Sequence, residues 1–309
     1  MTISEKVDEL IDLQLKEWQL AAKNYDDLKS VKLKTLIFHT LAVKVQFNSA
    51  RIISSSANID KQVIEKRACF LCEKNRPTQQ REIAFGNSFS ILLNPFPIFE
   101  KHLTIAHKNH VPQLLVPYFV DMLNIAQNLP NFTIFYNGAT SGASAPDHFH
   151  FQAGNKFAMP LDSTIDNILG TFGKLQRNSS GTIHKVDDGL RKFFVFRTQN
   201  ISTMVNFFEE FFKIIAAIIP FEEEPQLNVH ASFSNGIYTV LLFLRNKHRP
   251  WQYYETGEKN IMLSPASVDV GGLLVMPLEK DFHKITQADV YDIFQQIFLP
   301  EEIFEQINF

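Results

Sequence analysis

Cysteine is almost absent: Cys69 and Cys72 are the two in 309 residues, too few for a disulfide framework. No apolar run reaches the roughly eighteen residues a membrane-spanning helix needs. The start, Met1-Thr2-Ile3-Ser4-Glu5-Lys6, lacks a basic segment followed by an apolar stretch, so no signal peptide is expected. Positive charge is not in excess either. A formal net charge of -3 argues against broad electrostatic binding to nucleic acid or to an anionic membrane. These absences make a cytoplasmic protein the expectation, one that binds neither nucleic acid nor membrane and that would handle phosphate only in a locally basic pocket.

What is abundant is phenylalanine, 29 residues, enough for a substantial core in one large domain or two of ordinary size. Val7, Leu10, Ile11, Leu15, Trp18 and Ala21 recur at near-helical spacing, which predicts one amphipathic helix over 4–28 with Ser4 as its N-cap. Val43, Val45 and Phe47 alternate with Ala42, Lys44 and Gln46 as in a strand, which ends at Asn48-Ser49-Ala50-Arg51. Arg51 and the following Ser54-Ser55-Ser56 read equally well as a phosphate-holding turn or as a polar surface loop. Residues 103–106 form a buried strand, 116–129 a helix and 131–136 another strand. Downstream, strands flank Asp187-Asp188-Gly189, a helix spans 202–219, and Ser234-Asn235-Gly236 signals a hairpin between 227–233 and 238–244. Thr286 and Asp289 form a capping box for a last helix over 288–298. The pattern of 102–110 followed by a helix is similar to that of 272–283 followed by a helix, which suggests a diverged internal repeat.

The chemistry concentrates in His148-Phe149-His150-Phe151-Gln152. On a β-strand, alternate side chains share a face, so His148, His150 and Gln152 would point together into a site while Phe149 and Phe151 pack inward. Just upstream runs Asn137-Gly138-Ala139-Thr140-Ser141-Gly142-Ala143-Ser144, a small-residue loop. Its glycines would let backbone N–H groups approach a phosphate, with the Ser144 hydroxyl in support. An anion cradle beside two histidines points to nucleotidyl or phosphoryl chemistry. Cys69-Phe70-Leu71-Cys72 is half of a zinc site, or else a pair of small buried hydrophobes.

Taken together, these motifs resemble the transferase branch of the histidine-triad superfamily, which holds galactose-1-phosphate uridylyltransferases, dinucleoside-polyphosphate phosphorylases and GDP-hexose phosphorylases. His148 to Gln152 looks like its His-x-His-x-Gln signature, and Asn137-Gly138 with Ser141-Gly142-Ala143-Ser144 is similar to the Asn and Gly-x-Ser loop before it. The strand-and-turn His102-Leu103-Thr104-Ile105-Ala106-His107-Lys108-Asn109-His110 also matches. Phe149 stands where the uridylyltransferases usually have proline, and such aromatic spacers are closer to those of the GDP-hexose phosphorylases. The resemblance covers about residues 43–152, and the second half matches only as a degenerate copy.

The resemblance implies an α+β fold with tandem histidine-triad-like halves, 1–155 carrying the site and 156–309 diverged, in an antiparallel sheet flanked by helices. It implies His150 as a nucleophile that forms a covalent nucleotidyl-histidine, and Gln152 as a donor to the α-phosphate, with glutamine favouring transfer over hydrolysis. Asn137, Gly142, Ser144 and Arg51 would hold phosphate, although Arg51 alone is equally an exposed charge. His148 would join Cys69, Cys72 and His110 around a structural zinc, or pack behind the nucleophile in relatives without metal. The implied reaction is phosphorolysis of a nucleotide sugar or a dinucleoside polyphosphate by inorganic phosphate. Sugar-1-phosphate nucleotidyl transfer to a sugar phosphate and a non-catalytic nucleotide-binding regulator are the alternatives, and a homodimer stays open. His102, His107, His184, His230, His248 and His283 read as surface or core residues, with a cationic role for His248-Arg249 at an acceptor phosphate as the minor alternative.

Overall fold

A computed structural model describes residues 1–52 and 61–309, so Ser54-Ser55-Ser56 lies outside the described residues. Among these, thirteen strands are formed: β1 (Lys32–Phe38), β2 (Leu41–Phe47), β3 (Glu82–Phe85), β4 (Phe89–Leu93), β5 (His102–His107), β6 (Phe132–Asn137), β7 (His150–Asn155), β8 (Gly173–Asn178), β9 (Thr182–Asp187), β10 (Lys192–Thr198), β11 (Leu227–Ser234), β12 (Ile237–Leu244) and β13 (Leu273–Met276). Ten of them make one antiparallel sheet in the order β3-β4-β5-β7-β6-β11-β12-β10-β9-β8. The order is a palindrome. Counted inward from either edge, three consecutive strands are followed by the second strand of a pair and then by the first, and a helix precedes each pair: Phe119–Asn128 in one copy and Ile201–Ile218 in the other. The two units meet where β6 pairs with β11, Asn137 opposite Asn228 and Phe135 opposite His230.

This arrangement relocates the internal repeat. The counterpart of β5 is β10 and that of β7 is β12, whereas β13 leaves the large sheet and runs parallel to β2 beside the β1–β2 hairpin. The likeness of 102–110 to 272–283 is therefore one of hydrophobic pattern without topological equivalence. β8 gave no strand pattern because it is an edge strand whose single large apolar residue, Leu175, is exposed.

Both faces of the sheet are covered, which explains the near-continuous apolar runs of its central strands. On one face lie the two N-terminal helices, Phe119–Asn128 and Ile201–Ile218, the last two touching through stacked rings of Phe119 and Phe208, 3.7 Å between centroids. The small sheet, the helix Pro160–Phe172 and the helix Gln287–Ile297 cover part of the other face. The expected single N-terminal helix is two, Ile3–Glu17 and Gln19–Leu28, because Trp18 adopts an extended backbone that buries its indole. Its cap is Thr2, not Ser4: the Thr2 hydroxyl accepts from Glu5 N–H while the Glu5 carboxylate accepts from Thr2 N–H. The capping box of Thr286 and Asp289 forms as expected. The hairpin at Asn235-Gly236 also forms, both residues at positive φ (51° and 78°).

Phe149 and Phe151 point to the helix-covered face and are fully buried, so His150 and Gln152 face the other way. The ladder of β7 begins at His150. His148 lies in the preceding turn, and the chain between them is held by Phe149, whose N–H donates to Val111 O and whose carbonyl accepts from His107 N–H. The Phe149 ring packs 4.2 Å from that of Tyr118 and 4.8 Å from that of Phe151. Phe149→Ala is expected to lower stability by about 3–5 kcal/mol in denaturant titration, the usual cost of emptying a phenylalanine site in a core.

Candidate active site

Three histidines each spend one ring nitrogen on a main-chain group, and this fixes what the other nitrogen can do. His148 Nε2 lies 2.7 Å from the His107 carbonyl, an acceptor only, so Nε2 carries the proton and Nδ1 is a bare lone pair. That lone pair points between two sulfurs, 3.3 Å from Cys69 Sγ and 3.5 Å from Cys72 Sγ. His110 completes the group with Nδ1 3.3 Å from Cys72 Sγ, its Nε2 lying 3.5 Å from Asp147 Oδ2. The candidate ligand atoms of Cys69, Cys72, His110 and His148 all lie within 4.8 Å of one another. A zinc tetrahedron with ordinary bond lengths has nitrogen–sulfur edges of about 3.6 Å, so the observed spacing is that of a ligand cage. The cage is braced from outside, because Arg67 holds Asp147 at 2.5 Å and His148 Nε2 is tied to the backbone. The cysteines thus form half of a four-residue cluster that could hold a metal such as zinc.

His150 follows the same logic with the nitrogens exchanged. Its Nδ1 is 2.9 Å from the His148 carbonyl, so Nδ1–H donates and Nε2 keeps the lone pair. The side chain is 4% exposed, and burial pulls its pKa down to about 4 against that hydrogen bond, which leaves it uncharged at neutral pH. Gln152 is oriented by His102. Ile98 N–H donates to His102 Nδ1 at 3.3 Å, so His102 Nε2–H donates to Gln152 Oε1 at 2.8 Å. The Gln152 amide therefore turns its NH₂ away from His102. Burial and the nearby Arg51 guanidinium push His102 down to about 3, which keeps this donor arrangement across the working pH range. His102 is a buried residue, as expected, and its ring also bonds Gln152.

Gln152 lines a cavity together with Arg51, Asn137, Gly142, Ser144 and groups from the second half, His248, Arg249 and Ser264. The four residues assigned to phosphate from sequence thus converge with Gln152. His150 sits beside that lining and not on it. Gly142 is at φ +100°, and a Cβ there would come within 2.4 Å of Ala266 Cβ, so the turn needs glycine on two counts. Arg51 donates through Nη1 to Phe96 O at 2.8 Å, which anchors one side of its fork. Burial pulls it down to about 10, with the Asp269 carboxylate opposing, so it stays a cation. Asn137 is oriented through its side-chain oxygen. Its Oδ1 accepts from Asn228 Nδ2 at 2.9 Å and from Ser267 N–H at 2.8 Å, so only its amide nitrogen is left for a ligand.

The residue that sequence reasoning missed altogether is Gln113, 1% exposed. Its Oε1 accepts from His150 N–H at 2.8 Å, and its Nε2 donates to His150 O at 2.9 Å and to Asn137 O at 3.0 Å. One side-chain amide thereby pairs with the backbone of the signature histidine and with the end of β6. Behind it, Tyr136 Oη lies 2.9 Å from Gln113 O and 2.6 Å from Glu224 Oε1, and burial lifts Glu224 to about 7. A lone glutamine in a Pro-Gln-Leu context carries no local sign of such a role.

The palindromic antiparallel sheet flanked by helices agrees with the fold that the motif resemblance implied. A family model described as a domain of unknown function (DUF4922) matches residues 10–155, and one described as a GDPGP1-like C-terminal domain matches residues 166–308. No curated protein matches the chain. Among solved structures it is similar to yeast Ap4A phosphorylase Apa2, at 14% identity and a TM-score of 0.61 over 91% of this chain and 97% of that one. The same yeast enzyme in complex with Ap4A matches at 16% identity and a TM-score of 0.57, over 92% of this chain and 97% of that chain. Its complex with AMP matches at 15% and 0.55, over 93% and 97%. At such identities the likeness is one of fold.

Gln113→Leu removes all three hydrogen bonds while keeping side-chain volume. It is expected to cost about 2–4 kcal/mol of stability, since buried backbone groups lose their partners. In hydrogen exchange, the His150 amide should become one of the fastest in the sheet while the Phe151 amide stays protected.

Proposed function

We propose that the protein is a nucleotidyltransferase that cleaves a nucleotide sugar or a dinucleoside polyphosphate by phosphorolysis, through a nucleotidyl group carried on His150. The observation that carries this reading is the pairing of two fixed orientations. The Nε2 lone pair of His150 is left available by the Nδ1 bond to His148 O, and the Gln152 NH₂ is turned outward by His102 on the same strand face. A nucleophile next to a rigid amide donor suits in-line attack on an α-phosphorus, with the amide bonding a non-bridging oxygen as charge builds. Ser144, Gly142 and Arg51 then hold the donor phosphates, and Asn137 contributes its amide nitrogen. The yeast neighbour's activity on Ap4A supports a dinucleoside polyphosphate as one substrate to test first.

The Cys69, Cys72, His110 and His148 cage suits zinc by donor type, spacing and braced imidazoles. Its four protein ligands would close the coordination sphere, so its part is structural. It would clamp the turn at His148, whose carbonyl holds His150 Nδ1. Metal analysis of protein purified without chelator is expected to find one equivalent of zinc, and Cys69→Ser to lose it together with several degrees of thermal stability. A protein that is metal-free and equally stable would refute the assignment.

Turnover tests the reaction. With phosphate present, release of a nucleoside diphosphate marks phosphorolysis, exchange only with a sugar phosphate marks sugar-phosphate transfer, and binding without turnover marks a regulator. His150→Ala is expected to abolish transfer with the fold retained. Gln152→Ala should slow it by about one to three powers of ten, the range for losing one donor to a developing oxyanion. Wild-type turnover in His150→Ala would end the proposal.

A further inference from the structure

The connector that follows β5, residues 108–115, carries Gln113 to the signature strand, and part of its hold comes from the second half of the chain. Two of its backbone groups are bonded from outside. Tyr136 Oη lies 2.9 Å from Gln113 O, and Leu115 N–H donates to Glu224 Oε2 at 2.6 Å. Glu224 belongs to the segment between the helix Ile201–Ile218 and β11, so its carboxyl is a grip of the second half on the first. Its other oxygen, Oε1, lies 2.6 Å from the same Tyr136 Oη. The cavity that Glu224 lines shares no residue with the lining of the site cavity.

The Tyr136 hydroxyl has one hydrogen and two acceptors within reach. Burial raises its pKa, so it keeps that hydrogen at any working pH. When Glu224 is a carboxylate, the charged acceptor takes the hydrogen, because bonds to ionised groups are the stronger ones. Gln113 O, whose partner among the described residues is Tyr136, then loses its bond. When Glu224 is a carboxylic acid, its own O–H donates to Tyr136 Oη, and Tyr136 donates to Gln113 O. Each atom of the relay is then satisfied and no charge is buried. Burial, aided by the like charge of Glu223 and opposed by the bonds from Tyr136 and Leu115, lifts Glu224 to about 7. Leu115 N–H and Tyr136 Oη, the groups that meet it from the first half, carry no charge. The charged residues lining the cavity with it are Glu222 and Glu223 of its own segment and Arg245 after β12. That guanidinium is bonded to Asn228 Oδ1 and to the carbonyls of Lys247, His248 and Pro265.

We propose that Glu224 is a positioning residue for the transfer reaction, its protonation tightening the Tyr136–Gln113 brace that holds His150. This rests on the nucleotidyl-transfer reading above. The Gln113 side chain bonds His150 at both N–H and O and ties it to the Asn137 carbonyl. A firmer connector therefore keeps His150 and the end of β6 in one fixed relation. The protonated state is the braced one. A carboxyl whose folded pKa lies above its unfolded value contributes fully below both values, and that contribution is lost as pH rises through the folded one. Transfer that depends on the brace is accordingly favoured below about 7 and weakened above it.

The experiment follows the first half-reaction in the full-length protein, the rate of nucleotidyl adduct formation from Ap4A without phosphate, so the ionisation of an acceptor plays no part. As pH rises, the wild-type rate is expected to fall roughly twofold to tenfold, the span of one net hydrogen bond, with its midpoint at about 7. Glu224→Gln should show no such fall, because its amide donates to Tyr136 as the acid does and still accepts from Leu115. Glu224→Ala should be slower across the range, a loss that Glu224→Gln does not share. Tyr136→Phe keeps the packing, removes the shared hydrogen and should also abolish the fall. NMR with glutamine side chains labelled in nitrogen reads the brace without turnover. The Gln113 NH₂ resonance, assigned by its loss in Gln113→Leu, should titrate with the same midpoint and stop titrating in Glu224→Gln and Tyr136→Phe. A Gln113 resonance that stays flat in the wild-type protein, or a fall in rate that survives Glu224→Gln, overturns the proposal. Absence of an adduct at every pH would instead overturn the transfer reading, and the resonance would still decide the brace.

Discussion

Main-chain hydrogen bonds to imidazole rings set everything else in this site. A neutral histidine is ambiguous, because either nitrogen can carry the proton. Here the ambiguity is removed three times by a backbone group: the His107 carbonyl at His148, the His148 carbonyl at His150, and the Ile98 N–H at His102. The first turns a lone pair toward two cysteines, the second leaves the lone pair of His150 on Nε2, and the third makes a donor that fixes a glutamine. The same His148 residue serves two of these, accepting at its carbonyl and bridging to the cysteines through its ring. The Cys/His cluster and the strand bearing His150 are thus one mechanical unit, and Gln113 stitches that unit to the end of β6.

The palindromic sheet brings residues of both halves to one cavity. Pairing of β6 with β11 puts Asn228 beside Asn137, and Arg245 extends the connection to the loop after β12. A residue pair on the central strands thereby connects a signature-bearing half to a half whose corresponding strand carries Thr239, Leu241 and Phe243 on the face that His150 and Gln152 take in the first. Leu241 and Phe243 are buried in the core between the large sheet, the small sheet and its helices, so the second copy has given that face to packing.

How much of this was legible in the sequence follows from how local each signal is. The strand bearing His150 and Gln152, the small-residue loop and the Asn235-Gly236 hairpin were readable because their alternation and turn chemistry reside in a few adjacent residues. Convergence of Cys69, Cys72, His110 and His148 was expected only through the resemblance, since spacing alone offers half a site. The repeat was misplaced because β13 has the same buried apolar pattern as a central strand although it pairs with β2. Gln113, and the contact of His102 with Gln152, depend on strand order and register, for which no single segment carries a signature.

The central claim is that His150 becomes covalently nucleotidylated, and mass spectrometry tests it directly. After brief incubation with a dinucleoside polyphosphate or nucleotide sugar in the absence of phosphate, the intact protein should gain the mass of one nucleotidyl group. That group should be acid-labile and base-stable, lie on the peptide containing His150, and be discharged as nucleoside diphosphate when phosphate is added. An adduct on another residue, or turnover without any adduct while His150→Ala remains active, would contradict the account.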